Sequence, residues 1–276
     1  MMSKVCLIVI DGLRDDTARV ACKHLMAAVA KGDARLWTME ACLPTISAPL
    51  YETIHTGLTP TEHGLLDNEG LRPSTSPSVF SEVKVAGGRS GVVGHSYFHS
   101  LFGGSEFDPF AHIEINDVDA PIAYGRYYSM DGYDADNSVQ PAEIDLCAQA
   151  WMIADRHAPD YLLLHSSSCD TLGHAHTGLG AGYVRQAQKV DTALAKLIPR
   201  LIERGYQVLV TADHGMDETG NHGGDADCLR QVPFFAFIDK LKANETEMLD
   251  QRALAPTILA LLGIDRPASM TASPLV

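Results

Sequence analysis

Three short apolar runs, each closing on an aspartate, constrain this chain more than any other feature. They are Ile8-Val9-Ile10-Asp11-Gly12, Leu163-Leu164-His165-Ser166-Ser167-Ser168-Cys169-Asp170 and Val208-Leu209-Val210-Thr211-Ala212-Asp213-His214-Gly215. The run Val5 to Ile10 is apolar at every position, as a strand covered on both faces requires. Such runs alternate with amphipathic segments of helical length, which predicts an α/β fold around a mainly parallel sheet, an α/β/α sandwich. In open sheets of that kind the carboxyl ends of the strands line the ligand crevice, so three strands would aim carboxylates at one place.

Coarse periodicity adds a helix over 17–31, with Asp15 or Asp16 as its cap and Gly32 as its stop. Strands are expected at 91–93, 161–165, 207–211 and 233–238. A long amphipathic helix is expected over 183–204, kinked at Pro199, and a terminal helix over 255–262 ends at Gly263. The stretch 70–140 is rich in Gly, Pro, Ser and Tyr and has weak periodicity. It reads as an irregular insertion overhanging the site as a cap, within a single catalytic domain over 1–276.

Length supports that economy, since 276 residues suffice for one large α/β domain with a full core. The chain has 35 Asp and Glu against 21 Lys and Arg, a formal charge of −14, which argues against nucleic-acid and membrane partners. Six scattered cysteines with no CxxC pair exclude a disulfide framework and a thiolate zinc site. The apolar run near the N-terminus is too short for a signal segment and no run reaches membrane-spanning length, so a cytoplasmic protein is expected; the oligomeric state is open.

Carboxylates gathered at close range repel, and a cation is the economical remedy. Histidines stand beside them: His174 four residues after Asp170, His214 next to Asp213, and His222 in the Gly-rich Asn221-His222-Gly223-Gly224. Taken singly, each is as well read as a cap, a surface group or a core histidine. Jointly they form a mixed Asp/His ligand set that suits zinc best, with manganese and iron as the other ions of that class. The segment Cys42-Leu43-Pro44-Thr45-Ile46-Ser47-Ala48-Pro49 adds hydroxyls where a helix begins. There either one serves as a nucleophile favoured by the positive helix end, or simply caps the helix.

Together these segments resemble the alkaline phosphatase superfamily, and within it the type I phosphodiesterase/nucleotide pyrophosphatase family. The resemblance spans Asp11-Gly12, Ser47-Ala48-Pro49, Thr56-Gly57-Leu58-Thr59-Pro60-Thr61-Glu62-His63-Gly64 and the terminal segment beginning Ala255-Pro256-Thr257. It implies an alkaline-phosphatase-like core and two divalent ions, Zn2+ or Mn2+. One ion would be held by Asp170, His174 and His222, the other by Asp11, Ser47, Asp213 and His214. It implies Ser47 as the nucleophile, forming a phosphoseryl intermediate, where the family usually carries Thr. Asn68 would donate to a phosphoryl oxygen. The short interval between His214 and His222 looks instead like the loop of the GPI-anchor ethanolamine-phosphate transferases. Sulfatases of the superfamily need a Cys and an Arg that Ser47-Ala48-Pro49-Leu50-Tyr51 lacks.

The implied function is hydrolysis of a small phosphodiester. A phosphomonoesterase, a phosphonate hydrolase and a phosphotransferase are the alternatives, and a non-catalytic metal-binding domain is the remaining class. His95, Tyr97 and Arg126 are the substrate-facing candidates, among further pocket walls Phe98, His99, Tyr124, Tyr127 and Tyr128. Arg14 is the other cation near Asp11. His165 and His176 orient ligands or serve the core.

Overall fold

The structure, a computed structural model, describes residues 2–129, 141–238, 241–244 and 246–276. Nine strands follow in chain order: β1 Lys4–Ile10, β2 Arg35–Glu40, β3 Ser90–His95, β4 Glu114–Asn116, β5 Tyr124–Tyr128, β6 Tyr161–Ser166, β7 Tyr206–Thr211, β8 Gln231–Phe237 and β9 Leu249–Asp250. They form one sheet in the order β4-β5-β3-β6-β1-β7-β8-β2-β9. The strands β5, β3, β6, β1 and β7 are mutually parallel, while β4, β8 and the β8–β2 pairing bring in antiparallel contacts.

Two helical groups cover the sheet. The helices Asp15–Ala21, Lys23–Lys31, Glu143–Arg156, Ser168–His176 and Ala181–Glu203 pack together, with Glu143–Arg156 on β6 and Ala181–Glu203 on β7. The helices Ser47–Thr56, Val79–Val85, Tyr97–Phe102 and Leu254–Leu262 form the other group, with Leu254–Leu262 on β1 and Val79–Val85 on β3. Central β1 is accordingly buried from Val5 to Ile10, which is why its sequence does not alternate.

Four local expectations are corrected. The segment 17–31 is two helices broken at Cys22, because the Asp191 carboxylate reaches across and takes the N–H groups of His24 (2.8 Å) and Leu25 (3.0 Å). Buried Asp191 thus caps the second helix from another element. Arg14, not Asp15 or Asp16, stands at the N-cap, and Gly32 ends the second helix in the left-handed region as expected. Besides the strand expected at 91–93, which is internal strand β3, the described part of the supposed irregular insertion carries the helix Val79–Val85, the edge strand β4 and the internal strand β5. Residues 130–140 of that stretch lie outside the described residues. Strand β2 was not anticipated; it pairs antiparallel with β8, Trp37 opposite Phe234.

The long helix continues through Pro199 to Glu203. All six cysteines are free, and no described helix is long and apolar enough to cross a membrane.

Candidate metal centre and nucleophile

Because β6, β1 and β7 are adjacent and in parallel register, their carboxyl ends lie side by side: Ile10 is level with Ser166, and Val9 with Thr211. Asp11 leaves the end of β1 and Asp213 follows β7. Asp170 stands in the first turn of Ser168–His176, the helix that follows β6, with His174 one turn on. Gly12 lets these pieces meet. Its φ is +72°, and a Cβ there would sit 2.7 Å from the Asp170 Cα, so both backbone angle and space call for glycine. Its N–H donates to Asp213 Oδ1 at 3.1 Å.

Two ligand groups result, Asp170 with His174 and His222, and Asp11 with Asp213 and His214. In the first, Asp170 Oδ1 lies 3.4 Å from His174 Nε2 and 3.5 Å from His222 Nε2. In the second, His214 Nε2 lies 3.4 Å from both Asp11 Oδ1 and Asp213 Oδ2. A tetrahedral ion with bonds of about 2.1 Å separates its ligands by about 3.4 Å. The three carboxylate oxygens concerned, Asp11 Oδ1, Asp170 Oδ1 and Asp213 Oδ2, are buried and have no hydrogen-bond partner. Buried charged oxygens without partners are costly, and cations facing them remove that cost.

Each imidazole is also held in the tautomer a metal needs. Nδ1–H donates to a backbone carbonyl in every case: His174 to Gly220 (2.7 Å), His214 to Gly215 (2.8 Å), His222 to Thr45 (2.8 Å). Nε2 is thereby left with its lone pair toward the carboxylates. Electrostatics without an ion reflect the crowding. Burial and the Asp11 charge push Asp213 well above the usual carboxylate range. Burial also works against the Asp11 anion, yet the hydrogen bond from His165 and the charge of His214 hold it below that range. Burial and repulsion from His214 bring His222 down to about 4, while the neighbouring Asp170 carboxylate lifts His174 to about 9.

Ser47 opens the helix Ser47–Thr56, and its Oγ lies 3.2 Å from His214 Nε2. Thr45, the other hydroxyl of that segment, is engaged elsewhere. Its Oγ1 donates to the Gly224 carbonyl (2.8 Å) and accepts from the Gly223 N–H (2.9 Å), tying down the His222 loop. Asn68 Oδ1 accepts the Ala48 N–H at 2.9 Å, which brings Asn68 to the same helix end.

Residues 5–257 match the family model for type I phosphodiesterase / nucleotide pyrophosphatase. The chain belongs to that family. Its relatives include the catalytic subunit of mouse GPI ethanolamine phosphate transferase 3, 24% identical over 298 residues that cover 98% of this chain and 25% of that protein. Another is the 2,3-bisphosphoglycerate-independent phosphoglycerate mutase of Wolbachia pipientis wMel, 35% identical over 132 residues, 44% of this chain and 24% of the enzyme. The chain thus spans about a quarter of the length of these curated relatives. Among solved structures, an inactive form of murine ectonucleotide pyrophosphatase / phosphodiesterase 5 in complex with AMP superposes with a TM-score of 0.73 at 15% identity, covering 96% of both chains. The alkaline-phosphatase-like fold expected from the sequence is therefore the fold observed.

The substrate-facing candidates fare unevenly. His95, at the end of β3, packs edge-on to Tyr97 (4.1 Å) and lies 6.5 Å from the His165 ring, one ring removed from Asp11. Arg126 is not brought to the cluster. Its guanidinium is spent on Glu114 (2.9 Å) and the Ile115 carbonyl (3.1 Å) in the edge hairpin. Arg14 likewise pairs with Asp16 and donates to the Met216 carbonyl (3.1 Å). Tyr124 stacks on His157, and His99 stacks on His112, both away from the ligands. Sequence reasoning missed Tyr51, whose hydroxyl donates to Asp11 Oδ2. Its only signal was its place one turn after Ser47, on the same face of the helix.

Proposed function

We propose that this chain hydrolyses phosphodiesters of small molecules with Ser47 as nucleophile, at a centre of two divalent ions. The observation that carries the proposal is Ser47 Oγ at the positive end of a helix, 3.2 Å from His214 Nε2 and beside unpartnered carboxylate oxygens. Asp170, His174 and His222 would hold one ion, and Asp11, Asp213 and His214, with Ser47, the other. When bound, the ions supply positive charge that favours the Ser47 alkoxide and offsets charge on the phosphoryl and leaving oxygens. Zinc fits the mixed Asp/His set best, and manganese is the second choice.

The chain's own groups account for the rest. Ser47 Oγ gives its proton to water and forms a bond to phosphorus as the bond to the ester oxygen breaks, and the leaving alkoxide takes a proton from water. Water then attacks the phosphoserine, the Oγ–P bond breaks and Ser47 regains its proton, so two in-line steps retain configuration at phosphorus. Asn68, its Oδ1 fixed by the Ala48 N–H, offers Nδ2 protons to a non-bridging oxygen.

Among the described residues no lysine or arginine pairs with the cluster's carboxylates; Arg14 and Arg126 are committed elsewhere. That supports a diester, with one ionised non-bridging oxygen, over a dianionic monoester. A second reading, transfer to an alcohol, is favoured by relatives named as a phosphate transferase and a mutase. Metal-loaded protein is to be assayed on bis-p-nitrophenyl phosphate, p-nitrophenyl phosphate and a phenyl phosphonate ester, with and without an added alcohol. Diester turnover should dominate and Ser47→Ala should reduce it by at least about 10³-fold. A Ser47→Ala enzyme of near wild-type turnover rejects the mechanism, and alcohol-dependent product establishes transfer.

A further inference from the structure

Asp11 differs from the other two aspartates of the centre in how its second oxygen is held. Oδ1 faces His214 Nε2 and has no partner. Oδ2 accepts the Tyr51 hydroxyl, and His165 Nε2 stands 3.4 Å from the same oxygen. Tyr51 sits one turn after Ser47 on a helix in which every residue is buried. Its ring stacks on Phe98 at 4.5 Å and meets His165 edge-on at 4.9 Å, so the phenol has one place to be.

His165 is oriented in turn. The Ser167 N–H donates to the Tyr128 hydroxyl (3.0 Å), and that hydroxyl lies 2.9 Å from His165 Nδ1, fixing the ring from its far side. Nε2, on the opposite side of the ring, is thereby turned toward Asp11 Oδ2.

We infer that Tyr51 and His165 are positioning residues that together hold Asp11 Oδ2, so that Asp11 presents Oδ1 alone to the ion beside Ser47. The helix that carries the nucleophile thereby also aims one ligand of the ion that activates it. Outer partners of this kind typically contribute about 10- to 100-fold to metal affinity. The inference rests on the two-ion reading of the centre, and it assigns the clamp to one ion only.

Calorimetric titration of metal-free protein with Zn2+, repeated with Mn2+, tests it without reference to turnover. Wild-type protein should take two ions. Tyr51→Phe keeps the stacked ring and removes the hydroxyl, and should weaken one ion by about 10- to 100-fold while the other keeps its affinity. Asp170→Asn should weaken the opposite ion, which identifies the pair. His165→Leu should repeat the Tyr51→Phe pattern, and circular dichroism of each metal-free variant checks that it is folded. A folded Tyr51→Phe that binds both ions as wild type does, or loses both equally, overturns the clamp and leaves the two-ion centre standing. Wild-type protein that takes up no ion overturns the centre itself.

Discussion

An amide side chain next to a backbone N–H has its orientation decided for it, and Asn68 is such a case. The Ala48 N–H demands the carbonyl oxygen, so both Nδ2 protons are left for another acceptor. Asn68→Ala should lower kcat by about 10²- to 10³-fold with a much smaller change in KM, the pattern of a donor used in the transition state. An equal rise in KM with kcat unchanged would make Asn68 a binding group only. The two hydroxyls also differ at this scale in their partners. Thr45 Oγ1 is bound on both sides by the Gly223–Gly224 backbone, whereas Ser47 Oγ faces His214. The segment read by itself left the two open, and the family resemblance pointed to Ser47, which opens the helix. The cation question has the same character. Nothing local marks Arg126 as the partner of Glu114 across an edge hairpin, and the pairing removes it from the candidates.

At the scale of elements, the helix Ser47–Thr56 is buried at all ten positions and carries polar groups inward. His55 illustrates how they are accommodated. Nδ1–H donates to the Tyr51 carbonyl (2.8 Å) and Nε2 lies 2.9 Å from the Tyr161 hydroxyl, so the neutral ring has a partner at each nitrogen. Burial accordingly pulls its pKa down to about 4. The unfolded chain, with the ordinary value near 6.5, binds this proton first as pH falls, so stability is full above about 6.5 and declines toward pH 4. Integrated over that window, His55 alone should cost about 3 kcal/mol. Denaturant unfolding of metal-free protein at neutral pH and at pH 4 checks it. His55→Gln should be less stable near neutrality yet lose less on acidification; an identical pH slope would show that the titration lies elsewhere.

The main strands β1, β6 and β7 were legible because full burial writes itself as an unbroken apolar run. Strand β5, Tyr-Gly-Arg-Tyr-Tyr, was not, since glycine and arginine dilute the pattern and its pairing with β3 decides it. The helix break at Cys22 was equally unreadable: its cap, Asp191, is supplied from another helix.

For the whole molecule, the formal charge of −14 has a local counterpart. Two divalent ions would bring about +4 to a place where Asp11, Asp170 and Asp213 converge, leaving about −10 on the molecule as a whole. Binding to the folded state alone stabilises it by about 2.7 kcal/mol when free ion is 100 times Kd. In a chain of this size that corresponds to a Tm change of about 5–10 °C. A chelator should lower Tm by that amount and Zn2+ or Mn2+ should restore it, whereas Mg2+ should do so poorly because the ligand set includes imidazoles. A melting curve indifferent to chelation would count against ion-coupled folding of the sheet's carboxyl edge. The sequence by itself determined the class of fold and the ligand types, because buried strands and the residues at their ends are local properties of the chain. Tertiary structure alone decided what engages Thr45, which cations are already spent, and that Tyr51 and His165 hold Asp11. Those outcomes depend on partners far apart in sequence, and no local pattern encodes the distance between them.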